Sequence, residues 1–234
     1  MTEGYMFCVG GDELYFKLLN RAITTLRLFD NKRPICILTE DVERAKSFCN
    51  FDNVVFKQFL LFNHLVPTVH PSLPWHRYGF YPKIFQFMYS PFDYTMFFDV
   101  DTVFLSDFTF FWERLKTSPY PLMIPGLADA INCSPPGWHW GWIFSVIQKS
   151  GICVPQTNSS FMIYNKLFVK SLIENANHVL MNLENWGCRP QFSGGYPDEI
   201  VMSLLIGILK IRPSEEMFAW VHDPTKILSC DKNV

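Results

Sequence analysis

The sequence predicts one α/β domain with a mixed, mainly parallel sheet flanked by helices, and three observations predict it. Short apolar runs of strand length alternate with longer amphipathic stretches, the order that right-handed βαβ crossovers produce. A length of 234 residues suits a single core, with no composition shift or linker to mark a second domain. The apolar run from Tyr94 stops abruptly at two carboxylates, Asp99 and Asp101, at the kind of strand end where open α/β sheets build ligand crevices.

The elements follow in order. Tyr5 to Val9 reads as a first strand, Gly10-Gly11 as a turn, and Asp12 as the N-cap of a helix carrying Leu14, Leu18, Leu19, Ala22, Ile23 and Leu26. Ile35 to Leu38 is a second strand, with Thr39 as the cap of the next helix and Glu40 and Asp41 in its positive first turn. Val54 to Phe59 is a third strand. A loop rich in Pro, His and aromatics runs from Asn63 to Pro82, a length that in a compact domain usually signals function or disorder. Pro82 suits the first position of a short helix, Lys83 to Tyr89, which puts the Lys83 charge against the helix dipole. Tyr94 to Leu105 is the acid-bearing strand, where alternation of side chains puts Asp99 and Asp101 on one face. Ser106 or Asp107 then caps a helix through Leu115, and Pro121 to Ile124 is another strand. Trp138-His139-Trp140-Gly141-Trp142 is either a core plug or a platform for a sugar ring. Phe161 to Tyr164 is a strand entered from Asn158-Ser159-Ser160, and Leu167 to Leu183 a helix. The turn Ser193-Gly194-Gly195-Tyr196-Pro197 leads into an amphipathic helix, Asp198 to Ile208, and Phe218 to Val221 is an apolar run ending in His222.

Composition narrows the function classes. A formal net charge of -2 without a dense basic block argues against nucleic acid as a partner. The seven cysteines contain no CxxC pair, so neither a zinc site nor a disulfide framework follows; several lie in apolar runs and suit a reducing compartment. No basic leader precedes the first strand, and the longest apolar run is far short of the ~20 residues a membrane span needs. The expectation is a cytoplasmic protein with no transmembrane segment. Charged residues are sparse at 18% and aromatics abundant at 17%, which leaves aromatic surface available for recognition.

Two carboxylates one residue apart repel unless a cation or a proton sits between them, so Asp99 and Asp101 are candidate metal ligands. Together with the Lys83-led helix, Asn158-Ser159-Ser160, the Gly-Gly turn before Asp198-Glu199 and the late His222, they stand in the order of a known group. The chain resembles, over almost its whole length, the glycogenin and lipopolysaccharide galactosyltransferase type of retaining glycosyltransferase, family 8-like, with the GT-A fold and its single Rossmann-like sheet. The most specific parts are the segment from Lys83 to Leu105 and the Gly-Gly-x-x-Asp-Glu turn.

The resemblance implies a metal-dependent hexosyltransferase that uses a nucleotide-diphosphate sugar, expected to be UDP-linked, and retains the anomeric configuration. Asp99, Asp101 and His222 match the family's metal ligands, a donor set that suits Mn2+, with Mg2+ as the second choice. Val9, Gly10, Gly11 and Tyr15 match positions around the base and ribose, Val100 is a donor-binding position between the acids, and Lys83 and Lys226 match positions around the diphosphate. Asn158, Asp198 and Glu199 match the catalytic region at the transferred sugar, with Asp198 as the carboxylate facing the anomeric cation. Asn-Ser-Ser stands where the family has Asn-Ser-Gly, and the His222 to Lys226 loop is compressed. The acceptor is expected to be a glycan or a protein, met near Trp138 to Trp142, and a homodimer is compatible with the chain. Two alternatives stay open: a sugar-phosphate nucleotidyltransferase, which would want a basic phosphate loop where Gly10-Gly11-Asp12-Glu13 offers acids, and a catalytically degenerate glycan-binding domain.

Overall fold

The computed structural model describes residues 1–59, 76–127, 149, 151–152, 154–183, 185–187, 198–214 and 217, and for 76–82 and 127 the backbone alone. Four strands run parallel: β1 (Glu3–Val9), β2 (Ile35–Thr39), β3 (Val54–Gln58) and β4 (Tyr94–Phe98). The short strand β5 (Leu122–Met123) and β8 (Phe161–Asn165) complete a six-stranded sheet in the order β3-β2-β1-β4-β8-β5, with β8 antiparallel to both neighbours. A separate two-stranded ladder joins β6 (Gly126–Leu127) to β7 (Gln156–Thr157).

The central strands β2 and β4 are buried at every position, because helices cover both faces and alternation of polar residues would serve nothing. The pleat sorts their side chains. Tyr5, Phe7 and Val9 of β1 with Met96 and Phe98 of β4 face α1 (Glu13–Arg27) and α4 (Phe111–Thr117), which supply Phe16, Leu19, Ile23, Leu26, Trp112 and Leu115. Met6, Cys36, Phe97, Met162 and Tyr164 face the other way, toward α3 (His76–Tyr89), α5 (Val169–Asn182) and α6 (Asp198–Ile208). On the first face Phe98 and Phe161, paired across β4 and β8, stack with centroids 4.6 Å apart.

Several local expectations give way to competing interactions. Pro82 and Lys83 lie inside the 14-residue α3, not at its start, although proline withholds one backbone donor there. Asp41, not Thr39, caps α2 (Val42–Phe48) by accepting the Arg44 N–H at 3.0 Å; Thr39 is the last residue of β2. Asp107 closes a local turn by accepting from the Thr109 N–H at 2.8 Å and hydroxyl at 2.7 Å, so α4 begins only at Phe111. A 3-10 turn, Lys166–Phe168, precedes α5. Leu14, placed on the buried face of α1 by its spacing, is exposed, and Phe16 takes that role.

The order of the strands creates the crevice. From β1 the chain moves outward through β2 to β3, then crosses back to lay β4 on the other side of β1. The carboxyl ends of β1 and β4 therefore flank the topological switch point, where sheets of this type bind ligands.

Candidate active site

The strand β4 ends at Phe98, and the two acids lie in the turn that follows, closed by the Thr102 N–H donating to the Asp99 carbonyl at 3.2 Å. They share a turn rather than a strand face. The Asp99 N–H donates to the Ser160 carbonyl at 2.8 Å, which ties this turn to the entry of β8. Val100 between the acids is buried among the α1-side core residues, as is Val9 at the end of β1, so both can address a ligand only through their backbone. Asp101 is exposed.

The structure brings together three charged residues from three elements. Lys83 Nζ of α3 lies 2.9 Å from Asp99 Oδ1 and 2.9 Å from Oδ2, and 2.6 Å from Oδ2 of Asp198, the first residue of α6. The same Asp198 oxygen accepts a short hydrogen bond from the Ser159 hydroxyl. Asp198 is only 4% exposed, and an acid in the first helical turn meets the positive end of the helix dipole. Behind it, Thr157 and Ser203 join their hydroxyls at 2.8 Å and fasten β7 to α6.

One cation does not balance this group. Burial alone would pull the Lys83 ammonium down, but Asp198 and Asp99 outweigh it and hold it above the usual lysine range. Burial alone would raise Asp198, but the Lys83 charge and the Ser159 hydroxyl hold it below the usual carboxylate range. Asp99 receives what is left: burial, with the Asp198 and Asp101 carboxylates adding to it, pushes its carboxyl up to about 6 despite Lys83. Among the described residues, three carboxylates against one ammonium leave the strand-end turn electronegative.

Asn158 stands at the entry of β8. Its Oδ1 accepts from the Ser160 N–H at 2.9 Å and from the Ser160 hydroxyl, which fixes the orientation of the amide, since a backbone N–H can face only the oxygen. Glu199 is half-buried beside Asp198. Around the β1 end, Gly11 adopts a positive φ of 79°, and Tyr15 lies in the first turn of α1 with 37% exposure. His222, Lys226, the tryptophans from 138 to 142 and the Gly-Gly turn at 194–195 lie outside the described residues. Among the described residues no three His, Cys, Asp or Glu side chains form a metal-binding group.

Three contributors escaped the sequence. Ser159 and Ser160 were visible only as part of a strand entry, and Glu40 only as a helix-start acid. Glu40 instead accepts the Gly11 N–H at 3.0 Å, 29 residues away, with no local spacing to announce it.

Residues 2–116, just under half of the chain, match the family model described as "Mannosyltransferase putative", a span that includes Lys83, Asp99 and Asp101. The structure is similar to the galactosyltransferase LgtC in complex with donor and acceptor sugar analogues, with 12% identity, a TM-score of 0.62, and coverage of 96% of this chain and 81% of that one. It is similar to mouse xyloside xylosyltransferase 1 in its apo form, with 11% identity, a TM-score of 0.60, and coverage of 92% and 84%. The apo glycosyltransferase GlyE of Streptococcus pneumoniae TIGR4 matches with 12% identity and a TM-score of 0.56, over 93% of this chain and 46% of that one. No curated protein matches the sequence. The fold is that of the GT-A glycosyltransferases, and the family match together with the fold supports a glycosyltransferase.

Proposed function

We propose that this chain of GT-A fold transfers a hexose from a nucleotide-diphosphate sugar, with UDP as the nucleotide, to a glycan or protein acceptor, depends on a divalent cation, and retains the anomeric configuration. The observation that carries the proposal is the double contact of Lys83, which joins the Asp99 turn to Asp198 at the switch point. A phosphate-binding cation and a buried carboxylate are thereby held side by side, as departure of a diphosphate from an anomeric carbon requires.

The cation site fits what is present. Asp99 and Asp101 offer hard oxygen donors in one electronegative turn, and the proposal adds His222; Mn2+ is the first choice and Mg2+ the second. When bound, the ion would neutralise charge on the leaving diphosphate. Lys83 then offers its ammonium to a phosphate oxygen, and the proposal gives Lys226 the same group to bind. Val9, Gly10, Gly11 and Val100 hold the base and ribose through their backbone, and Tyr15 offers a ring for stacking. The bond from the anomeric carbon to the phosphate oxygen breaks with its electron pair leaving on the diphosphate. The acceptor hydroxyl bonds to that carbon from the same face, and its proton goes to the departing phosphate oxygen. Asp198, held ionised by Lys83 and Ser159, stabilises the positive charge that develops, and Asn158 and Glu199 position the sugar. A cytoplasmic setting belongs to the same proposal, since the free thiols Cys36 and Cys49 suit a reducing compartment; among the described residues no helix is long and apolar enough to cross a membrane.

The nucleotidyltransferase alternative is disfavoured by Glu40, which adds a carboxylate to a turn where that chemistry wants cations. Incubation with UDP-hexoses and Mn2+, with UDP release followed over time, tests the proposal. Slow, metal-dependent donor hydrolysis without acceptor is expected. If no donor is hydrolysed and UDP fails to bind with metal present, the proposal is overturned.

A further inference from the structure

Glu40 follows β2 directly, beside the end of β1, where Val9 pairs with Thr39. Its carboxylate lies flat against Gly10: a methyl group there would come within 2.7 Å of Oε1 and 2.8 Å of Oε2. Oε1 accepts the Gly11 N–H. Arg44 is the nearby cation, yet its Nη1 donates to the Gly11 carbonyl at 3.0 Å and its guanidinium lies over the Phe16 ring, 4.7 Å from the centroid. Among the described residues no ion pair neutralises Glu40. Burial accordingly pushes its carboxyl up, with Asp41 adding to the effect and the Gly11 N–H and Arg44 opposing it. A half-buried carboxylate with no ion pair among the described residues destabilises the fold, and capping a single loop N–H is a task that a neutral acceptor performs equally well.

We propose that Glu40 reads the donor nucleobase, its Oε2 accepting the ring N–H of an imide or lactam. Uracil presents that group at N3 and guanine at N1. Cytosine and adenine present a bare ring nitrogen there, which sets lone pair against lone pair. The inference rests on the proposed placement of the base at Gly10-Gly11. Leaving a charged acceptor unsatisfied in a partly desolvated pocket gives a discrimination on the order of ten-fold or more.

Calorimetric titration of the full chain with UDP, GDP, CDP and ADP, each with Mn2+, tests this. UDP or GDP should bind about ten-fold or more tightly than CDP and ADP. Glu40→Gln, whose amide donates as well as accepts, should narrow that preference to within about three-fold. If Glu40 only supports the Gly11 loop, the substitution weakens all four nucleotides by one factor and leaves their ratios unchanged, which overturns the proposal; so does a wild-type protein that binds all four alike. Should Glu40→Gln fail to fold, UDP and N3-methyl-UDP are compared on the wild-type protein. Equal binding overturns the proposal, and a loss of about ten-fold supports it. Binding without base discrimination refutes this inference alone, whereas absence of any nucleotide binding refutes the glycosyltransferase proposal with it.

Discussion

On the proposed function, Asp99 is the residue at which stability and activity pull apart. Lys83 is 12% exposed and has one charge for two carboxylates; Asp198 sits deeper and closer, at 2.6 Å, and takes the larger share. Asp99, 28% exposed on its side chain, remains ionised at neutral pH against its own burial. Its folded pKa, pushed up to about 6, lies above the unfolded value of about 3.9, so the folded state binds the proton more tightly. The stability this residue contributes is therefore greatest below about pH 4 and is lost as pH rises through about 6. Asp99→Asn should remove that loss, leaving Lys83 in a one-to-one pair with Asp198. Thermal melts at pH 7 should show the variant unchanged or more stable, by on the order of 1–2 kcal/mol. Donor turnover should fall by about a hundred-fold or more, since an amide cannot offset the charge of a cation. A destabilised variant that still turns over the donor would contradict both assignments.

At the scale of elements, two glycines separate packing from the proposed function. A methyl at Gly4 on β1 would lie 2.4 Å from the ring of Phe92, a buried ring of the α3-side core that cannot withdraw. Gly4→Ala should cost about 1–3 kcal/mol in chemical denaturation. A methyl at Gly10 first meets the end of the Glu40 side chain, which can swing aside at the loss of its hydrogen bond from the Gly11 N–H, so Gly10→Ala should cost no more than about 1 kcal/mol and lower nucleotide affinity. Equal effects of the two substitutions on stability would show that the Gly10 turn is a packing feature. The elements themselves were legible where one local signal dominated. The sequence predicts the helix from Asp198 to Ile208 with its observed bounds, and the apolar continuity from Tyr94 predicts a strand, although it ends at Phe98 and not at Leu105. Legibility failed where two local signals competed. Pro82 looked like a helix start because proline favours that position, yet α3 begins at His76 and carries it inside. Asp107 looked like a helix cap, but its carboxylate closed a turn two residues on. The candidate site was legible as a set of residue types, and Lys83, Asp99 and Asp198 do converge; that they share one ammonium, and that Glu40 closes the Gly11 turn, are long-range facts which no spacing encodes.

Across the whole molecule the two ends of the sheet differ in how fully their carboxylates are paired, and this shapes its response to acid. At the amino ends of the strands, Asp30 accepts from the Tyr5 hydroxyl and Arg33 Nη1, each at 2.6 Å, and from the N–H groups of Lys32 and Arg33 at 3.0 and 3.1 Å. Glu3 pairs with Arg33 at 2.7 Å and Lys116 at 2.6 Å, while Arg33 also lies over the Trp112 ring. Burial would raise both carboxyls, but these partners prevail and hold each below its usual value. Their contribution to stability is thus fully present above the unfolded values of about 4 and is lost as pH falls through the lower folded values. At the carboxyl ends Asp198, paired with Lys83, behaves in the same way, whereas Asp99 and Glu40, pushed the other way, gain relative stability on protonation. Opposing shifts offset one another at the carboxyl ends but share one sign at the Asp30 end, so acid unfolding should start there and set in below about pH 4. Asp30→Asn should cost about 2 kcal/mol at pH 7, through loss of charge-assisted hydrogen bonds, and should flatten the fall in melting temperature between about pH 5 and 2. Melting curves of wild type and variant that run parallel over that range would place the acid-sensitive network elsewhere in the fold.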